Sequence, residues 1–362
     1  MIATPELDLL LEIARRDGDV PGAIARVSDW NRALELLAMH GLRPMLPADR
    51  VPRSVGRKVA QAQLQVRHHN ELNAAELVRF SDVLQGHGVP HVAYKGAVAA
   101  KRYYGDIDLR EYSDFDVLVA PESLPRVDTS LRELGYEALM YTDREGARNR
   151  RIGFEESWQA HSGAVLDLHW QISDAFFPIG LTSAELLSRA VTAELPDGSV
   201  FTMSDEDHLI VLATHAARHF FERLEWVKTV GIAMTGEGLD WGAIVERVVR
   251  ARCAIAFISA CRIAARFLAY PLPDAVLSIP VRETSVSAIL DAVERDLVVS
   301  HRDSWRLFDR RRDAMRRVLK VVFEPRITDA RAMPLPHAMR SAYYLLRPIR
   351  LAAKHIRLRL KK

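Results

Sequence analysis

The sequence predicts a mixed α/β protein, a small sheet core with helical segments before and after it. Three observations carry this. Residues 5–84 repeat apolar side chains at helical spacing, residues 89–203 alternate short apolar strands with helices, and the helical period returns from 204 onward. The expected divisions are an N-terminal helical region over 1–88, an α/β core over 89–203, a helical region over 204–325 and a basic tail over 326–362.

The elements follow from local chemistry. "DLLLEIARR", "WNRALELLAMHG" and the long run beginning "GRKVAQAQLQVRHH" read as helices, the last stopped by Gly86, Gly88 and Pro90. "HVAYKG" is a short apolar strand, "AVAAKRYYG" a short helix, "DFDVLVA" a strand, and "ESLPRVDTSLRELG" a helix closed by Gly135. "YEALMYT" and "AVLDLHWQI" read as further strands. Ser204, followed by acidic residues, is the N-cap of the helix that starts the second helical region.

Composition narrows the class. Hydrophobic residues make up 49% and charged residues 27%, which suits a globular chain and excludes a disordered one. No apolar run approaches the ~18 residues that span a bilayer, and the acidic start "MIATPELDLLLEIARRDGD" does not read as a signal peptide. Cys253 and Cys261 fall about two helical turns apart, too far to bridge, and read as buried free thiols of a cytoplasmic protein. The net charge of +3 conceals an asymmetry: residues 301–362 hold 18 Lys/Arg against 5 Asp/Glu, and the rest 32 against 42. Residues 338–362 therefore offer contact with an anionic surface, peripheral to a membrane or on nucleic acid, or dock on the acidic body. In "RPIRLAAKHIRLRLKK" the stripe of Ile349, Leu351, Ala352, Ala353, Ile356 and Leu360 runs beside Arg350, Lys354, Arg357 and Lys361.

Chemistry concentrates in "YSDFDVLVAP". Asp114 and Asp116 alternate onto one strand face, where two like charges repel unless a cation sits between them. Asp167, in "AVLDLHW", supplies a third carboxylate, and three such groups on adjacent strands suit one or two Mg²⁺ or Mn²⁺ ions. His169 shares Asp167's face, which suits a role behind the ligands or on a phosphate. Lys95 and Gly96 stand where a strand gives way to a helix, a place for a phosphate. A second Asp-x-Asp, Asp106 and Asp108 in "GDIDLR", lacks a following apolar strand and reads as loop. His208, His215 and His219 share a helix without an HExxH signature and read as a polar face lining a cleft.

The run "YKGAVAAKRYY…LREYSDFDVLV", then "LDLHWQI", resembles the DNA polymerase β-type nucleotidyltransferase superfamily, and most closely its bacterial family of uncharacterised nucleotidyltransferases. "DWNRALELLAMHGLRPML" and "DEDHLIVLATHAARH" resemble that family too, so the likeness covers roughly residues 28–230. It implies a polymerase β-type sheet, with Asp114, Asp116 and Asp167 as catalytic metal ligands. It implies Lys95, Gly96, Arg110, Ser113 and His169 as the nucleotide-binding set. Lys-Gly replaces the superfamily's usual Gly-Ser or Gly-Gly turn, which implies a phosphate contact through the lysine. The implied reaction moves a nucleoside monophosphate from an NTP, ATP by preference, to a hydroxyl or phosphate of a peptide, protein, sugar or small molecule, releasing pyrophosphate. The alternative is a non-catalytic nucleotide- or partner-binding module on the same fold, or an adaptor acting through the basic tail.

Overall fold

The structure is a computed structural model that describes residues 4–139, 153–174, 176–296, 303–323, 333 and 341–359. Helices α1 (Pro5–Ala14), α2 (Val20–Arg26), α3 (Trp30–Met39) and the 34-residue α4 (Arg53–Gly86) lead into a seven-stranded sheet. Its strands are β1 (His91–Ala93), β2 (Phe115–Val119), β3 (Glu137–Ala138), β4 (Glu155–Gln159), β5 (Val165–His169), β6 (Val191–Leu195) and β7 (Gly198–Thr202). They lie in the order β3-β4-β5-β2-β1-β7-β6, with β2 parallel to β5, β1 parallel to β7, and the other pairs antiparallel. Within the sheet segment run α5 (Gly96–Tyr104), α6 (Leu124–Glu133) and α7 (Ser183–Leu187). Beyond it come α8 (Asp205–Arg218), α9 (Leu224–Met234), α10 (Trp241–Arg250), α11 (Ala254–Leu268), α12 (Asp274–Ser278), α13 (Glu283–Asp296), α14 (Arg311–Phe323) and α15 (Tyr343–Arg359).

The mixed α/β class is as the sequence reads. Three strands escaped that reading. β4, "EESWQ", opens with two glutamates, and the β6–β7 hairpin is largely exposed on its outer strand, so neither presents an apolar run. Of "YEALMYT", only Glu137 and Ala138 form a strand, and its end lies outside the described residues.

Strand alternation divides the core in two. Phe115, Val117 and Val119 of β2, with Leu166 and Leu168 of β5, pack on Leu77, Phe80 and Leu84 of α4 and on Val127 and Leu131 of α6. Each such burial contributes roughly 1.5–3 kcal/mol. The opposite face sends Val92, Tyr94 and Leu118 into a larger cluster with α8, α9 and α11. Asp116, Asp167 and His169 belong to that opposite face, so α8 is the helix that lies over them. Cys253 and Cys261 are buried free thiols in and beside α11.

The tail helix α15 docks on α14. Arg347 is buried and donates to the Val321 carbonyl at 3.0 and 2.9 Å, and the Tyr343 hydroxyl donates to the Met333 carbonyl at 2.7 Å. Ile349, expected on the packed stripe, is instead 66% exposed. The side chains of Ile356 and Leu360 lie outside the described residues. Among the described residues no helix is long and apolar enough to cross a membrane.

Candidate active site

Register builds the site. β2 and β5 run parallel with Asp116 opposite Asp167, and β4 places Ser157 opposite Asp167 and Glu155 opposite His169. One sheet face thus carries Ser157, Asp167 and Asp116 in a row, with Glu155 and His169 one step along. Ser157 Oγ donates to Asp167 Oδ1 at 2.6 Å. His169 Nε2 lies 2.9 Å from Asp116 Oδ1, and its Nδ1 lies 3.3 Å from Glu155 Oε2, a charge contact without hydrogen-bond alignment. Ligand atoms of Asp116, Asp167 and His169 all fall within 4.8 Å of one another, the grouping among the described residues that suits a metal ion.

The sequence demanded a cation between the aspartates, and the fold supplies one of its own. Lys95 Nζ ion-pairs with Asp116 Oδ1 and lies over the Tyr94 ring, 5.1 Å from its centroid. Lys95 is the N-cap of α5, and Gly96 opens that helix with φ +51°. A Cβ on Gly96 would stand 3.0 Å from the Asp114 carbonyl oxygen, so both the left-handed backbone and the close approach require glycine. That contact presses the Lys-Gly turn against the start of β2.

Asp114 sits in the bend just before β2 rather than within the strand, and Ser113 Oγ donates to its Oδ2 at 3.0 Å. Burial, reinforced by the Asp116 charge, pushes the Asp114 carboxyl up to about 6. Burial pushes Asp116 up as well, but Lys95, with the hydrogen bond from His169, more than offsets this and holds its carboxyl well below the usual range. Burial also raises Glu155.

Arg110 is placed elsewhere. Its guanidinium is buried and donates to Glu225 of α9 through Nε at 2.6 Å and Nη2 at 3.3 Å. Thr229 Oγ1 donates to the same carboxylate at 2.7 Å. The pair ties the segment before β2 to α9. Asp106 and Asp108 form the expected loop: Asp106 caps a short 3₁₀ turn and Asp108 pairs with Arg67 at 2.7 Å.

Among the helix histidines, His208 is structural. Its Nε2 donates to the Tyr94 carbonyl and its Nδ1 accepts from Arg102 and Tyr103, while burial lowers its pKa to about 3. His215 and His219 stack 4.7 Å apart, both against Trp226, and His215 lines a cleft with Tyr94 and Lys95. Burial, then the Lys95 charge, hold His215 well below its ordinary pKa. Arg218, one helical turn on, lines the same cleft. Its Nη2 reaches His215 Nδ1 at 3.4 Å, and its Nε and Nη1 are buried without a hydrogen-bond partner.

Sequence reasoning passed over Glu155, Arg218 and Glu225. Glu225 carried a signal, an acidic residue amid the apolar "LEWV" of a helix. Arg218 carried a weaker one, helical spacing from His215. Glu155 carried none.

The carboxylate pair on the parallel strands β2 and β5 thus lies beside a glycine turn that opens a helix. The chain belongs to the family described as uncharacterised nucleotidyltransferase, which matches residues 26–269. Two solved structures are similar to it, both of the antibiotic-resistance factor ANT(2'')-Ia. The crystal structure in complex with adenylyl-2''-tobramycin shares 15% identity at a TM-score of 0.35, over 51% of this chain and 97% of that one. The solution structure shares 16% identity at 0.32, over 51% and 91%. No curated protein matches the sequence.

Proposed function

We propose that the protein is a metal-dependent nucleotidyltransferase that moves a nucleoside monophosphate from an NTP to an acceptor hydroxyl. The observation that carries this is the Asp116–Asp167 register pair with the Lys95–Gly96 turn pressed against Asp114. The donor set fits a hard divalent cation: Asp116 and Asp167 offer carboxylate oxygens close to one another, and the imidazole of His169 beside them suits Mn²⁺ better than Mg²⁺. Asp114, which lies outside that grouping, would be a further ligand from the bend before β2. When bound, such an ion neutralises phosphate oxygens and favours ionisation of the acceptor hydroxyl.

The chain's own groups do the rest. Asp116, kept ionised by Lys95 and His169, is ready to bind a cation without first losing a proton. A cation held by Asp116 would take over the carboxylate that Lys95 pairs with and would leave Lys95 for the phosphates, and Arg218 stands on the same cleft with Nε and Nη1 unbonded. Lys95 and Arg218 therefore take the phosphate role that the resemblance gave to Arg110, whose guanidinium is committed to Glu225. The acceptor oxygen forms a bond to the α-phosphorus as the bond to the bridging oxygen breaks and pyrophosphate leaves. The hydroxyl proton passes to Asp167, whose other oxygen is held by Ser157.

The test is calorimetric binding of each NTP with Mg²⁺ or Mn²⁺, followed by pyrophosphate release with candidate acceptors. Metal-dependent binding that fails in Asp116→Asn supports the reading. Absence of nucleotide binding in the wild type overturns it, and binding without release under every acceptor favours a nucleotide-binding module.

A further inference from the structure

Between α4 and the segment before β2 lies a second cavity, about 320 Å³, lined among others by Arg43, His69, Asn70, Glu111, Ser113 and Arg223. Its size falls in the range of small-molecule sites, roughly 300–1,000 Å³. Ser113 joins it to the carboxylates, because the same side chain donates to Asp114. A molecule held here presents its near end to Asp114.

The charges of the lining do not balance. Arg43 pairs with Glu111, Nε to Oε2 at 3.1 Å, and these two cancel. Arg223 has no carboxylate partner among the described residues. Its Nε is buried without a hydrogen bond, and its guanidinium rests over the Trp226 ring, 5.6 Å from the centroid. Asn70 donates to the carbonyls of Ile107 and Arg110 at 2.8 Å each, leaving its Oδ1 buried without a donor. One uncompensated positive charge and one unused acceptor therefore border a single cavity. A partly buried cation without a counter-ion is costly, so such an arrangement suits a site completed by a ligand.

The backbone places Arg218 and Arg223 with care. Phe220 and Phe221 both adopt left-handed φ, +57° and +58°, between α8 and α9. Arg218 before this turn lines the cleft with Lys95, and Arg223 after it lines the cavity. One reversal of the chain thus serves both ends of the candidate site.

We propose that this cavity is the acceptor subsite and that Arg223 receives an anionic group, carboxylate or phosphate, of a small hydroxyl-bearing acid such as a sugar acid or sugar phosphate. The proposal rests on the transferase reading above. A donor group on the acceptor satisfies Asn70, and the reacting hydroxyl lies at the Ser113 end, toward Asp114.

The test is isothermal titration of the full-length protein with gluconate, glucose 6-phosphate, glucose and glucosamine. Saturable binding of at least one acid, with glucose and glucosamine weaker by about tenfold or more, is expected. Binding of gluconate alone or glucose 6-phosphate alone identifies the anion. Arg223→Gln should lose about tenfold or more in acid affinity. Ala62→Trp fills the cavity from the surface of α4 and should lose binding too, which keeps the test decisive if Arg223→Gln does not fold. Equal binding of glucose or glucosamine, unchanged acid affinity in both variants, or no binding of either acid up to about 10 mM overturns the proposal. Failure of the transferase reading shows separately: acid binding without any metal-dependent NTP binding leaves an acid site but no transferase.

Discussion

The two aspartates of "SDFD" should respond oppositely to neutralisation, although the sequence makes them look equivalent. Take Asp114→Asn in metal-free protein. Burial and the Asp116 charge move the Asp114 carboxyl from 3.8 to about 6, and each pKa unit is about 1.4 kcal/mol. The ionised carboxylate thus costs the fold about 3 kcal/mol. The asparagine gives up the charge-assisted bond from Ser113, worth about 1 kcal/mol or more. Partial exposure of the side chain lowers the gain further, leaving a net stabilisation of about 1–2 kcal/mol. The sign follows from linkage. The folded pKa lies above the unfolded one, so the cost is full above about pH 6 and disappears as pH falls toward about 4. Asp114→Asn should therefore melt roughly 2–4 °C above wild type at about pH 8 in EDTA, and the two should converge near pH 4. Asp116→Asn should do the reverse. It strands Lys95 and His169 in a buried setting, which costs roughly 3–5 kcal/mol. Differential scanning calorimetry from about pH 4 to 8 reads both. If both variants shift in the same direction, or if the Asp114→Asn difference ignores pH, the assignment of opposite environments is wrong.

Other expectations follow from the same geometry. Lys95→Ala should weaken triphosphate binding more than monophosphate binding, by about 1–3 kcal/mol, as read by titration calorimetry with both ligands; equal losses would place Lys95 off the outer phosphates. Arg110→Ala should show itself as lost stability, roughly 3–5 kcal/mol in denaturant unfolding, because it leaves Glu225 buried and unpaired. Gly96→Ala forces a left-handed alanine into the Asp114 carbonyl, so it should cost about 1–3 kcal/mol and reduce turnover together. Deleting residues 338–362 removes Arg347 from its two bonds to Val321 and should lower the melting temperature; loss of sedimentation with anionic vesicles at low salt would reveal a surface-docking role beyond packing.

The sequence by itself determined the mixed α/β class, the helical flanks, the loop character of Asp106 and Asp108, and the order of turn, aspartate pair and third carboxylate. These rest on local rules: hydrophobic period, glycine at a positive φ, and alternation along one strand, which correctly put His169 on the face of Asp167. Tertiary structure alone decided what each charge meets. The cation on Asp116 is Lys95, brought across from the end of β1, and Arg110, three residues before the "SDFD" bend begins, turns away to Glu225 more than a hundred positions later. Glu155 and Ser157 reach the site only because β4 runs antiparallel to β5 in one particular register. The cavity beside Asp114 exists because α4, the segment before β2 and Arg223 converge there. Local sequence sets the conformations a segment favours within a few residues. Ion pairing and cavity shape depend on distances between segments far apart in the chain, and only packing sets those distances.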